Sequence, residues 1–197
     1  MRKAASIVFL LASIACATAL AGSEVDRDAD VYAAALAAVS GAATTPPAIV
    51  VRDRTATDAE IMKGSRDAAA EIRQRMPGAS EALVNDLLAK AREPRKIVPA
   101  QLAKATRVKA EIVPDAQLQH AFEGVPMAEA WRRLASAHGG AHAAVTLSPV
   151  GYDAATGMAL VYLRVECGGL CGGASLLRLK ETDGAWRVVE TQSLWAG

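Results

Sequence analysis

A glycine-rich segment with two cysteines, residues 167–173 (CGGLCGG), lies between two stretches in which apolar and polar residues alternate. In residues 158–166, apolar side chains recur at every second position, which is typical of a strand with one buried face. Residues 174–181 alternate in the same way. Asp183-Gly184, a dipeptide typical of tight hairpin turns, precedes a third such stretch, residues 185–195. We therefore predict an antiparallel meander with the cysteine segment as its first connection.

The first 21 residues have the pattern of a secretory signal peptide. Arg2 and Lys3 precede an apolar run over residues 4–14, and Ala19-Leu20-Ala21 resembles a cleavage site. The run is too short to cross a bilayer, which takes about 20 apolar residues, so we expect no transmembrane segment. The mature chain would begin at Gly22 and be periplasmic or secreted. In the alternative, cleavage before Cys16 would leave a lipid-anchored protein.

The charge balance excludes one class of partner. The full chain has 22 basic and 21 acidic residues, and removing the signal peptide takes away two basic residues and no acidic one. The mature chain then carries a net charge near −1, counting 20 basic against 21 acidic residues. A chain with that balance has no electrostatic reason to bind nucleic acid, so we expect no nucleic-acid partner.

Cys167 and Cys171 are the cysteines that remain after cleavage, and two cysteines in an exported chain most often form a disulfide. The intervening Gly168 and Gly169 allow the chain to curl enough to join them. Two other interpretations stay open, namely a redox-active thiol pair and a metal site. The loop itself is a candidate binding site, whose members would be Gly168, Gly169, Leu170 and Gly172.

The rest of the chain predicts helices. Residues 23–40 and the segments that start at Thr57, Ser80, Pro114 and Pro126 have helical periodicity or capping residues, and the Thr57 helix is expected to reach Met76. Residues 48–52 predict a short edge strand and residues 108–113 a further strand. We expect a single α+β domain over residues 22–197, with helices mainly in 22–143 packed on an antiparallel sheet of about four strands in 144–197.

No motif for a known reaction is present. The sequence contains no nucleophile elbow, P-loop, dinucleotide fingerprint or zinc-protease pattern, so we expect no catalytic residue and no cofactor. His138 and His142 have a spacing that brings two histidines together on a helix, but Gly139 and Gly140 lie between them. We therefore expect no metal site there.

Several C-terminal segments resemble a family of bacterial exported proteins. The resemblance is carried by a S-x-V-G-Y stretch, an A-L-V-Y strand, the C-G-G-L-C-G loop and a terminal tryptophan, at residues 148–152, 159–162, 167–172 and 195. The chain departs from that pattern at Pro149 and at Ala174-Ser175. The resemblance covers about the last 50 residues and implies no activity.

These observations predict an exported, non-catalytic protein that binds a ligand or supports the cell envelope. The ligand and the partner are not predicted; a small molecule and another envelope protein are both compatible with the sequence. The alternative is a small periplasmic enzyme, with a hydrolase as the preferred class, whose site lies between the helices and the sheet. The binding protein and the enzyme would differ in the side chains of their site, because an enzyme needs several polar or titratable side chains within hydrogen-bond reach in one pocket.

Overall fold

The computed structural model describes residues 24–38, 40, 48–169 and 171–197. The predicted signal peptide and Cys16 lie outside the described residues. The helices are α1 (residues 24–38), α2 (Asp58–Ile61), α3 (Ala68–Arg75), α4 (Glu81–Lys90), α5 (Pro99–Ala105), α6 (Asp115–Phe122) and α7 (Met127–Ala137). The strands are β1 (Ile49–Arg52), β2 (Ala110–Val113), β3 (Ala143–Leu147), β4 (Gly151–Asp153), β5 (Met158–Cys167), β6 (Cys171–Thr182) and β7 (Ala185–Ala196). None of the described helices has both the length and the apolar character that a membrane span requires.

The strands form one mixed sheet of seven strands in the order β2-β1-β3-β5-β6-β7, with β4 paired to β5 beside this path. Strand β1 pairs in parallel with both β2 and β3, and β3 to β7 are antiparallel. The α+β class is confirmed, whereas the prediction of an antiparallel sheet of about four strands is wrong. The predicted edge position of β1 is also wrong, because β1 lies between β2 and β3. Val50 and Val51 are both fully buried, as expected in a strand covered on two faces.

Helices lie on both faces of the sheet. On the first face, apolar side chains of α1 such as Val31 and Leu36 share a buried cluster with Val51, Val145 and Val161. On the second face, α3 and α4 cover β5 and β6, while α6 and α7 cover β1 and β3. The predicted single layer of N-terminal helices packed on a C-terminal sheet is therefore wrong. The two helix pairs on the second face cover different strands, and part of the sheet beside them stays exposed.

Local signals placed most helix starts correctly and one helix end wrongly. The capping box at Thr57 is present, since its backbone N–H donates to the Glu60 carboxylate at 2.9 Å. Ser80 caps α4 by accepting a hydrogen bond from the Leu83 amide at 3.2 Å. The Thr57 helix, however, ends at Ile61 and not at Met76. The chain turns at Gly64 with a φ of 86°, and α3 begins after Asp67.

The meander is confirmed, and its tight turn fixes the packing of one tryptophan. Asp183 and Gly184 have φ values of 53° and 73°, as in the turn type that joins twisted antiparallel strands in two residues. This turn brings Trp186 into the cluster of the first face together with Val161 and Leu163. Only 9% of Trp186 is exposed.

Candidate functional site: a groove beside the cysteine hairpin

The cysteine segment forms the connection between β5 and β6. Cys167 and Cys171 are paired directly across the two strands, with their Cα atoms 5.2 Å apart and their sulfur atoms at disulfide distance, as predicted. Gly169 takes a φ of 86°, in the left-handed region that glycine enters without strain. The chain can therefore reverse between the two cysteines.

Two tryptophans pack against the glycines of this hairpin. A Cβ atom on Gly168 would lie 3.3 Å from Cγ of Trp131, and one on Gly172 would lie 3.1 Å from the Val165 carbonyl oxygen and 3.7 Å from Trp195. Glycine favours these two positions through close contact of the backbone with its neighbours, because a Cβ atom would require a neighbour to move by a few tenths of an ångström. The hairpin is thus held between Trp131 of α7 and Trp195 of β7.

Between these tryptophans lies a groove of about 550 Å³, which we call the tryptophan groove. Its apolar lining consists of Leu118, Phe122, Met127, Trp131 and Trp195. Its volume is in the range of small-molecule sites, roughly 300–1,000 Å³. The rings of Phe122 and Trp131 stack edge to face with their centroids 5.2 Å apart, which fixes one wall.

The floor of the groove is the exposed part of the second sheet face. The register of the strands places Thr146, Arg164, Ala174 and Trp195 in one row across four strands. A second row consists of Ala144, Glu166 and Gly172. Thr146 and Ala174 are buried, whereas the other members of the two rows line the groove: Ala144, Arg164, Glu166, Gly172 and Trp195.

Charged residues at the floor are mostly paired with each other. The Arg52 Nε atom donates to Asp115 at 2.6 Å, and Arg54 also forms an ion pair with Asp115. Burial opposes the charge on this carboxyl, but the two guanidinium groups outweigh it and hold the pKa of Asp115 below its usual range. Asp115 therefore stays ionised near neutral pH, and its lowered pKa makes it a weaker base than an ordinary carboxylate.

The predicted binding loop borders the groove in part. Gly169 and Gly172 line the tryptophan groove, together with both cysteines. Gly168 lines a neighbouring depression of about 380 Å³, which His142 also lines. Leu170 lies outside the described residues. Binding by this loop remains a prediction, but its placement at a groove was not readable from the sequence.

The two histidines have separate environments. Nδ1 of His138 lies 2.9 Å from the Glu111 carboxylate, and Nδ1 of His142 lies 2.9 Å from the Ala48 carbonyl oxygen. Across the described ranges, no group of three or more His, Cys, Asp or Glu side chains is arranged to hold a metal ion.

A second, smaller cavity lies on the first face, and the sequence did not reveal it. It measures about 280 Å³, and Asp28, Tyr32, Arg95 and Gln101 are among its lining residues. Burial raises the pKa of Asp28 to about 6, although a hydrogen bond from Tyr152 and the charge of Lys90 act in the opposite direction. No local signal could have shown this, because an acidic residue on an amphipathic helix is ordinarily solvated.

The groove residues were also missed. Trp131 appeared in the sequence only as part of an apolar helix face, and Arg164 as a polar position in an alternating strand. That both residues line one groove becomes apparent only when the sheet register and the position of α7 are known. No protein-family model, no curated protein and no solved structure was found to match this chain.

Proposed function

We propose that this is an exported, non-catalytic binding protein and that the tryptophan groove is its ligand site. The observation that carries the proposal is the exposure of large apolar side chains at the groove. Met127 is 59% exposed and Trp195 is 47% exposed, and both line it. Exposed apolar surface around a concave site is characteristic of ligand or partner binding.

The charges at the groove support binding over catalysis. Asp115 is held by two arginines, and the other acidic side chain of the lining, that of Glu166, is half-exposed in an ion pair with Arg164. Among the described lining residues there is no serine or histidine that could act as a nucleophile or a base. The two cysteines of the lining are joined to each other.

The test uses N-phenyl-1-naphthylamine, a neutral probe that fluoresces in apolar sites. We expect the mature protein to bind it, and Trp195→Ser and Met127→Ser each to weaken binding roughly tenfold, because each removes apolar contact area. Val189→Ser is the matched control, since Val189 is 49% exposed and does not line the groove. Absence of binding, or equal loss in all three variants, would reject the tryptophan groove as the site.

The alternative, a small hydrolase, is supported by one observation, the raised pKa of Asp28 in the second cavity. A carboxyl with a pKa of about 6 is suited to general acid–base chemistry. The described lining of that cavity contains no Ser, Cys or His, and in such a hydrolase Asp28 would act as the general base that activates a water. Hydrolysis of p-nitrophenyl acetate that disappears in Asp28→Asn would favour this alternative; equal rates in both proteins would argue against it.

Export to the periplasm is part of the proposal. The signal-peptide pattern of residues 1–21 and the cysteine pair at disulfide distance support it, since disulfides persist in oxidising compartments. Intact-mass measurement of the exported protein should give a chain that begins at Gly22. A diacylated product that begins at Cys16 would instead place the protein on a membrane surface.

A further inference from the structure

We propose that the ligand of the tryptophan groove is an apolar monocarboxylate, a molecule with one carboxylate and an alkyl chain or ring, and that Arg164 binds the carboxylate. The inference rests on the proposed function, because it names the chemical class of ligand for the same site. It is carried by the position of Arg164, by its unused hydrogen-bond donors and by the contrast with Arg52.

Arg164 is centrally placed on the floor. In the strand register it lies between Thr146 of β3 and Ala174 of β6, and Trp195 follows Ala174 in the same row. Arg164 and Trp195 are separated by one strand in this row and both line the groove, so that one ligand can contact the guanidinium and the indole. A ligand with its apolar part between Trp131 and Trp195 would thus have its polar end at Arg164.

The donors of Arg164 are largely unused within the described part of the chain. Its Nη2 atom lies 3.2 Å from the Glu166 carboxylate and 3.5 Å from the Thr146 hydroxyl, the second contact being at the limit of a hydrogen bond. Its Nε atom is buried and has no hydrogen-bond partner among the described residues. A buried donor without a partner is costly, and a local rearrangement around a bound anion would satisfy it.

Arg52, the second arginine that lines the groove, is different. Its Nε atom donates to Asp115 at 2.6 Å, a second nitrogen also pairs with Asp115, and Nη1 donates to Glu60 at 3.4 Å. Its side chain is 18% exposed. Because Arg52 is already held by two carboxylates, Arg164 is the better candidate for binding an anion from solution.

The existing partner of Arg164 can be displaced. The Glu166 side chain is 50% exposed, and such surface ion pairs contribute at most about 1 kcal/mol. A ligand carboxylate that also buries its apolar part would therefore replace Glu166. One guanidinium matches one planar carboxylate in a bidentate geometry. A phosphate monoester carries about two charges, and the nearby Glu166 would repel the second one.

The experiment compares dodecanoate, 1-dodecanol and dodecyl phosphate, each below its critical micelle concentration, by titration calorimetry against the mature protein. We expect dodecanoate to bind more tightly than the other two. In Arg164→Gln, dodecanoate affinity should fall roughly ten- to hundredfold and dodecanol affinity should not change. Arg164→Lys, which keeps the charge but loses the bidentate geometry, should recover part of that affinity.

Glu166→Gln provides a change in the opposite direction. It removes the competing carboxylate and a negative charge, so that dodecanoate should bind roughly threefold more tightly, with dodecanol unaffected. Arg133→Gln is the matched control, because Arg133 lies on α7, is 51% exposed and does not line the groove. Urea denaturation of every variant establishes that it is folded.

The outcomes separate this inference from the function on which it rests. If N-phenyl-1-naphthylamine binds in a Trp195-dependent manner but dodecanoate and dodecanol bind equally, the groove is a binding site and the carboxylate inference is wrong. The inference is also wrong if dodecyl phosphate binds best, if folded Arg164→Gln retains full dodecanoate affinity, or if wild-type protein binds no dodecanoate. If neither the probe nor dodecanoate binds, both proposals fail.

Discussion

The Tyr152 hydroxyl on β4 donates a hydrogen bond of 2.7 Å to the Asp28 carboxylate on α1, across 124 positions of the sequence. The Arg27 guanidinium lies 4.1 Å from the centroid of the same Tyr152 ring, and Lys90 lies 4.8 Å from it. Two consecutive side chains of α1 therefore contact one tyrosine. This contact fixes α1 on the first face of the sheet and buries an acid there.

The first prediction is that Asp28 makes the folded protein less stable as the pH rises from about 4 to about 6. Its pKa is about 6 in the folded protein and 3.8 ordinarily, so the folded state binds the proton more tightly in that window. Stability that depends on the protonated form is present below about pH 4 and lost as the pH passes about 6. The loss should be about 1–3 kcal/mol, allowing for partial exposure.

Urea denaturation at several pH values between about 4 and 7 measures this, as the difference between wild type and Asp28→Asn. The amide of the variant cannot titrate, so the variant's free energy of unfolding should not show this part of the pH dependence. Asp30→Asn is the matched control, because Asp30 lies on the same helix and is exposed. Identical pH profiles for wild type and Asp28→Asn would show that the carboxyl is not buried as described.

The second prediction contrasts two tryptophans of β7. Trp186 is 9% exposed and belongs to the cluster of the first face, so Trp186→Ala should lower the free energy of unfolding by about 3–5 kcal/mol. Trp195 is 47% exposed, and Trp195→Ala should cost less than about 1 kcal/mol. Equal losses for both in urea denaturation of the disulfide-intact protein would contradict the β7 register.

The third prediction concerns two glycines near β4. A Cβ atom on Gly151 would lie 2.7 Å from the Leu83 carbonyl oxygen and 2.8 Å from the Leu87 amide nitrogen, both backbone atoms of α4. Gly151→Ala should therefore cost roughly 2–4 kcal/mol, since a helix would have to move. Gly157 has open space but a φ of 65°, so Gly157→Ala should cost only about 1 kcal/mol. Thermal or urea unfolding of both variants compares the two, and the reverse order would mean that α4 does not contact β4 so closely.

The fourth prediction concerns the cysteine pair. Unreduced, folded protein should contain no thiol that reacts with a maleimide, because Cys167 and Cys171 are joined. The Cys167→Ser/Cys171→Ser double variant should lose about 2 kcal/mol, the loop-closure entropy of a ring this small. Two reactive thiols would show that the cysteines form a free thiol pair and not a disulfide. Stoichiometric zinc in the purified protein would show that they form a metal site.

The meander was predictable from the sequence because its signals are local. Alternation over residues 158–166 and the Asp183-Gly184 turn involve neighbours along the chain, and both determine structure within one hairpin. The cysteine pair was predictable for the same reason. Its residues are four positions apart and the glycines between them permit the chain to reverse.

The groove was not predictable, and the register of β7 shows why. Counting outward from the pair Thr182 and Ala185 places Ser193 opposite Ala174, but the structure places Trp195 there. Two register shifts, at Ala174/Ser175 and at Arg178/Leu179, add one residue each to β7. Bulges of this kind leave little trace in the hydrophobic pattern, and they decide which side chain borders the floor.

The central position of β1 has a consequence for the order of folding. Ile49 pairs with Ala110 and with Ala143, so that each pairing closes a loop of 61 or more residues, whereas the hairpin turns of β5, β6 and β7 close loops of a few residues. Loop closure costs more entropy as the loop grows. The antiparallel half of the sheet can therefore assemble early and serve as a template, and β1 would join it late. The rate-limiting step of folding would then be the insertion of four residues between strands that are distant in sequence, not the formation of the long hairpins.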